Sequence, residues 1–235
     1  MGISVIIPTL NEETTIADTL RHTARLGFDD IVVVDGGSTD HTQTIVRSIL
    51  SESAPILGSS LRLIVSPPGR ARQMNAGAVL SRSDTLLFLH ADTRLPDGAA
   101  GLIANAMSNS AVVGGRFDVR FDNPSTWARI ISAFMNGRSR WSRISTGDQA
   151  IFVRRKIFDR LGGFRDIPVM EDIDFSARLK RLGTIASLRE TVTTSFRRWE
   201  ENGPLRTVLL MWILRFLYWL GISPQRLSGF YVAVR

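Results

Sequence analysis

The chain contains no cysteine. That excludes a disulfide scaffold, a thiolate metal site and a cysteine nucleophile, and it suits a reducing compartment. Lysine occurs only at 156 and 180, so nearly all of the 29 basic side chains are arginine. Arginine suits bidentate contact with phosphate. The net charge of +7 admits phosphorylated small molecules, anionic lipid or nucleic acid as partners. Zinc-finger spacing, an aromatic RNA-binding motif and a lysine-rich tail are all missing, so no nucleic acid partner is expected. The first eight residues hold no basic segment and only a short apolar run, which does not read as a secretory signal. A cytoplasmic protein is expected, free or peripheral on the inner face of the plasma membrane. No internal repeat or linker interrupts the chain.

Long apolar runs are also lacking. The most apolar stretch, 208–220, is interrupted by Arg215. As a helix of about 13 residues it spans about 20 Å, short of the ~30 Å hydrocarbon core. Arg206 and Arg215 fall on opposite faces at 100° per residue, so no clean amphipathic stripe is expected. Trp212, Tyr218 and Trp219 suit a membrane interface or an oligomer contact through residues 205–220, with plain packing on the sheet as the alternative.

What the chain does have is a core: 44% of its 235 residues are hydrophobic. Short apolar runs at 3–7, 31–34, 61–65 and 85–89 read as buried strands. Helical spacing follows each. After the first comes Asn11, a candidate cap, with Ile16, Leu20, Ala24 and Leu26 beyond it. After the second, Asp40 caps a helix over 41–50, and 51–60 reads as a loop. Alternation of this kind implies an α/β fold with a mostly parallel, doubly wound sheet. Beyond residue 110 the pattern changes. A strand is expected over 112–121, a helix over 124–142, a turn and strand over 146–153, and helices over 154–161 and 170–182. The whole reads as one domain over 1–200, with a nucleotide half at 1–110 and an acceptor half at 111–200. An apolar helical segment follows at 201–235.

Three strand ends supply polar groups to one sheet edge: 8–12, 35–40 and 90–92. In open α/β sheets ligands bind in the crevice outside the carboxyl ends of the strands. Four segments occur in order: Val5-Ile-Ile-Pro-Thr-Leu-Asn-Glu12, Val33-Val-Asp-Gly-Gly-Ser-Thr-Asp-His-Thr42, Leu89-His-Ala-Asp-Thr93 and Met170-Glu-Asp-Ile-Asp-Phe175. Together they resemble the family 2 glycosyltransferases of the GT-A fold, over roughly residues 3–200. Arg70-Ala-Arg-Gln-Met-Asn-Ala-Gly77 and Gly147-Asp-Gln-Ala-Ile-Phe152 fit the same pattern. The whole chain looks most like a small bacterial subgroup whose substrates are mostly unassigned.

The resemblance implies a nucleoside-diphosphate sugar donor, a hydroxyl acceptor and inversion at the anomeric carbon; a lipid-like or membrane-associated acceptor fits the reading of residues 205–220 as a membrane interface. It implies donor contacts from Pro8, Thr9, Glu12, Asp35, Ser38, Arg70, Arg72, Asn75, Ala91 and Asp92. Asp92 matches the last acid of the family's Asp-X-Asp motif and would hold Mn²⁺ or Mg²⁺ together with the diphosphate. His90 stands where the first acid would be. Asp172 matches the general base, with Glu171 as its neighbour and rival, and Asp174 is expected to point away from both. Helix neighbours lie about 100° apart, so one of the pair is expected to face the crevice. Asp148, Gln149, Arg198 and Trp199 are implied at the acceptor or diphosphate. Arg197-Arg198-Trp199 partly resembles the Gln-X-X-Arg-Trp signature of processive members, but Ser195 holds the Gln position, so single-sugar addition is expected. A sugar-phosphate nucleotidyltransferase would need a glycine-rich loop after the first strand, which is missing. A non-catalytic, membrane-associated nucleotide-binding protein would be favoured by loss of Asp92 or Asp172, and both are present.

Overall fold

The computed structural model describes residues 2–53 and 60–232. Strand and helix alternate through the first half: β1 (Ile3–Thr9), α1 (Ile16–Ala24), β2 (Asp30–Asp35), α2 (Thr42–Ser53), β3 (Ser60–Val65), α3 (Arg70–Leu80) and β4 (Thr85–Phe88). A short β5 (Thr93–Arg94) and α4 (Ala99–Ser108) follow. The second half runs β6 (Val112–Phe121), α5 (Thr126–Ser142), a 3₁₀ turn (Gly147–Gln149), β7 (Ile151–Arg154), α6 (Arg155–Leu161), α7 (Glu171–Leu179) and β8 (Thr184–Thr194). Helices α8 (Arg197–Asn202), α9 (Pro204–Trp219) and α10 (Pro224–Val232) come last. Among the described residues, no helix is long and apolar enough to cross a membrane.

Side-chain alternation within each short strand assigns its layers. Val5, Ile7, Val33 and Leu87 face one side of the sheet, against α1, α2, α4 and α5. Ile6, Val32, Val34, Leu86 and Phe88 face the other, against α3, α6 and α7. Strands buried on both faces read as continuous apolar runs because each face has its own helices. A third, smaller core joins Leu214 and Leu227 to Val169 and Met170, so the C-terminal helices dock just ahead of α7.

The sheet order is β3-β2-β1-β4-β7-β6-β8-β5. The first four strands are mutually parallel, and the second half makes the sheet mixed. Strand β7 runs antiparallel to β4 and starts opposite its end, Ile151 beside Phe88. This brings residues 146–149 to the same edge as residues 90–92. Antiparallel pairing of Thr93 with Thr194 brings residues 195–199 to that edge too.

Two local expectations need correction. Helix α1 begins at Ile16, not just after Asn11. Asn11 adopts a left-handed φ of 56°, and its side-chain oxygen accepts the Thr39 N–H at 2.9 Å, so it ties two loops together rather than capping. The expected 51–60 loop begins inside α2, and residues 54–59 lie outside the described residues. Asp40 does accept the Thr42 N–H at 3.0 Å at the start of α2.

Strand β6 passes its neighbours so closely that a Cβ on Gly115 would lie 2.4 Å from Phe152 Cζ and 2.5 Å from the Ala186 carbonyl oxygen. Gly115→Ala is expected to lower stability by about 1–3 kcal/mol in a urea titration. Gly137→Ala, inside α5 where a new methyl meets nothing within 4 Å, is expected to raise it by about 0.5–1 kcal/mol.

Candidate active site

The loops after β1 and β2 are stitched to each other. Asn11 N–H donates to Ser38 Oγ, Glu12 N–H to Thr42 Oγ1, Glu13 N–H to Asp40, and His41 N–H to Glu13. From α3, the buried Gln73 amide donates to the carbonyls of Thr9 and Val34 at 2.7 and 2.9 Å, fixing the two strand ends together. Sequence reading missed this residue. It is a buried polar side chain inside an apolar helix face, a pattern that needs a partner.

Beside these loops lies a small polar chamber. Pro8, Glu12, Arg70, Ala91, Asp92 and Asp148 line it, together with Ser195 and Arg197. Asp92 accepts a bond from Thr93 Oγ1 at 3.3 Å. Burial, and then the charge of Asp92, push the Glu12 carboxyl above its ordinary value of 4.5. Arg197, for which no role was expected, brings its guanidinium to 3.9 Å from Glu12.

A second cavity of about 480 Å³ opens next to the first. Its walls are mainly apolar, with Ile131, Phe134, Met135, Val208 and Met211 among them. Its polar end carries Glu171, Asp172 and Arg215. Nearby, Arg138 keeps Nε and Nη2 buried without partners. Burial and the neighbouring Arg215 pull its guanidinium down to about 10. The two chambers share Arg70, His90 and Asp148. Trp199 lines the apolar cavity and stacks near Phe196, ring centroids 6.2 Å apart.

The junction is built around Gly147. Its N–H donates to Asp172 Oδ2 at 2.8 Å. Its missing side chain makes room for His90, since a Cβ there would lie 2.3 Å from His90 Nε2. His90 Nδ1 in turn lies 3.1 Å from Asp148 Oδ1, while Nε2 is buried without a partner. Glu171 is buried beside Arg70 at 3.4 Å. Burial raises its carboxyl above the usual range, Arg70 partly offsets that, and Asp172 adds to it. Met170 precedes it with a left-handed φ of 68°, a conformation unfavourable for a side-chain-bearing residue and held here by packing on Leu214 and Leu227.

Both Glu171 and Asp172 line the apolar cavity. The expectation that one would turn away fails because the cavity meets α7 end-on, where angular separation around the axis does not decide access. Asp174 does lie apart, held by Arg165 and Arg178 at 3.0 and 2.7 Å.

Several expected donor residues are occupied elsewhere. Asp35 is fully buried, and its oxygens accept from Gly37 N–H, Ser38 N–H, Ser38 Oγ, Thr9 Oγ1 and Gln43 Nε2. Asp35, Thr9 and Ser38 line neither chamber and brace the loops that do. Arg72 pairs with Asp166 on the exposed surface at 2.9 Å. Asn75 binds the Phe164 backbone through both ends of its amide. Gln149 is buried, with its side-chain oxygen accepting the Thr146 N–H at 3.2 Å. The Arg198 side chain lies outside the described residues.

A polar chamber at the carboxyl edge of parallel strands, opening into a lined groove, goes with the GT-A class of fold. The chain belongs to glycosyl transferase family 2, whose model matches residues 4–167. It is 36% identical over 186 residues to a mycobacterial PGL/p-HBAD biosynthesis glycosyltransferase from Mycobacterium bovis, covering 74% of this chain and 68% of that one. It is 30% identical over 204 residues to the probable glycosyltransferase YdaM of Bacillus subtilis, covering 77% of this chain and 47% of that protein. The chain thus spans about half the length of the Bacillus relative. Among solved structures, the mannosyltransferase PcManGT of Pyrobaculum calidifontis, in complex with GDP-Man and Mn²⁺, superposes with a TM-score of 0.65 at 22% identity. That match covers 82% of this chain and 56% of the other.

Two outcomes test this geometry. Gly147→Ala forces His90 from its place and is expected to cost about 1–3 kcal/mol by urea titration. Glu12→Gln is expected to raise stability at pH 7, because the folded state there holds a charged carboxylate that burial disfavours. A folded pKa raised above 4.5 means the native state binds protons more tightly, so stability falls as pH rises through that range. The gain from Glu12→Gln should therefore vanish below about pH 4.5, where both states are protonated, in melting curves taken across pH.

Proposed function

We propose that the chain moves a sugar from a nucleoside-diphosphate donor to a hydroxyl of an apolar acceptor, with inversion and with a divalent cation at the diphosphate. The observation that carries this reading is the meeting of two unlike chambers at Arg70, His90 and Asp148. The polar one suits a charged nucleotide sugar, and the larger apolar one suits a greasy acceptor. A transfer needs its two substrates to touch at one point, and Asp172 lies at that end of the acceptor chamber.

In this scheme Asp172 accepts the proton of the acceptor hydroxyl. The hydroxyl oxygen attacks the anomeric carbon from the face opposite the diphosphate. The bond from that carbon to the diphosphate oxygen breaks, and its electron pair leaves with the diphosphate. The Gly147 N–H donates to the Asp172 carboxylate and fixes its orientation. Arg70, braced by Glu171, and Arg197 face the chamber in which the leaving charge develops.

The donor set fits a hard cation. Asp92 and Glu12 offer carboxylate oxygens, and their mutual repulsion is what a cation would relieve. Among the described residues no three acidic or histidine side chains form a metal cage. Asp92, with Glu12 beside it, would hold such a cation, which would neutralise charge on the donor diphosphate.

Thermal-shift measurements with UDP-, GDP- and dTDP-sugars, with and without Mn²⁺, test the reading. A binding donor at a hundred times its Kd should add about 2.7 kcal/mol of stability. Asp92→Ala should abolish the Mn²⁺-dependent part of that shift. Asp172→Asn should keep the shift and lower transfer by about 10²–10⁴-fold. Undiminished transfer by Asp172→Asn would move the base to Glu171 or another group, and no shift with any sugar nucleotide would overturn the donor assignment.

A further inference from the structure

Two helices carry apolar stripes that the fold leaves uncovered. On α5, Trp127, Ile130, Phe134 and Trp141 are exposed, Trp141 by 90%. At 100° per residue their spacing keeps them within about 60° of one line along the helix. On α9, Leu205, Leu209, Trp212, Ile213, Phe216 and Trp219 are all more than half exposed. They lie within about 120° of arc by the same reckoning. The stripe that the spacing of Arg206 and Arg215 argued against is therefore present, because Arg215 turns inward to the apolar cavity. The Phe134 and Trp212 rings, 5.1 Å apart, join the two stripes into one surface.

The helices that form this surface carry charge of one sign, while the exposed acids Glu200 and Glu201 stand on α8 just ahead of α9. Helices α5, α9 and α10 carry arginines at 129, 138, 140, 206, 215 and 226 and no aspartate or glutamate. Arg129, Arg206 and Arg226 are exposed. The mouth of the apolar cavity opens on the same surface, since Trp127, Ile130, Phe134, Leu205 and Trp212 line it as well.

We propose that the α5–α9 face docks on an anionic lipid bilayer, and that the acceptor passes from the membrane into the cavity without crossing water. An apolar stripe rich in tryptophan sinks into the headgroup boundary, while arginines at its edge reach lipid phosphates. Exposed apolar surface of this continuity is unusual on a protein surrounded by water alone. The docking stands on the surface itself. The acceptor route rests on the transfer proposed above.

The test is cosedimentation of the full chain with vesicles of phosphatidylcholine alone or mixed with phosphatidylglycerol, at low and high salt. Binding is expected to the anionic vesicles and to weaken as salt rises. Arg206→Gln should weaken it about fivefold. The double substitution Phe216→Glu, Trp219→Glu should weaken it at least about tenfold. All three positions are exposed and line neither chamber, so the sugar-nucleotide thermal shift should stay unchanged in these variants. Equal binding by the double variant, or salt-insensitive binding equally strong to neutral vesicles, would overturn the proposal. So would a change in oligomeric state by sedimentation velocity with vesicle binding intact, which would assign the face to a second copy of the chain. Vesicle binding requires no donor, so a failed donor assignment leaves this result standing.

Discussion

The candidate site depends on one backbone position, Gly147. Its N–H holds the Asp172 carboxylate, and its bare Cα leaves the space that His90 fills. His90 then reaches Asp148, so one turn ties the end of β4 to the start of α7. A side chain there would push the histidine off the polar chamber and disturb the acid on the other side. The two chambers meet at Arg70, His90 and Asp148, and this turn sets the last two against each other.

Topology puts the turn there. A sheet of parallel strands alone would return each loop to the carboxyl edge only after a helix. Strand β7 instead enters antiparallel beside β4, so the residues just before it stand against the residues just after β4. The same device, with β8 against β5, delivers Ser195 and Arg197 to the lining of the chamber. The parallel half thus presents the loops of β1 and β2, and the antiparallel pairings close the site around them.

The parallel half was legible from residue order, since short branched runs ending in Pro8, Asp35 and His90 state both the strand and its polar edge. Roles within the edge were less legible. Asp35 is a strand-end acid like Asp92, yet its oxygens are filled by five donors from its own loop and neighbours, and only the folded loop reveals that. Arg72 and Asn75 share a helix with Arg70, but helical rotation turns them toward Asp166 and the Phe164 backbone. Gln73, between them, was unread because a buried amide is recognised by its partners and not by spacing. The α9 stripe was misjudged for a similar reason. Arg206 and Arg215 divide the helix on a wheel, but one of them points into the protein, and the exposed arc is apolar.

The central claim is that the corner at Asp92 is where a donor diphosphate and a cation meet, one wall away from Asp172. Anomalous diffraction from crystals soaked with Mn²⁺ and a nucleoside diphosphate tests it most directly. The account predicts a manganese peak within coordination reach of an Asp92 oxygen and beside the diphosphate. A peak remote from Asp92, or a diphosphate bound outside the chamber formed by Glu12, Arg70 and Arg197, would contradict it.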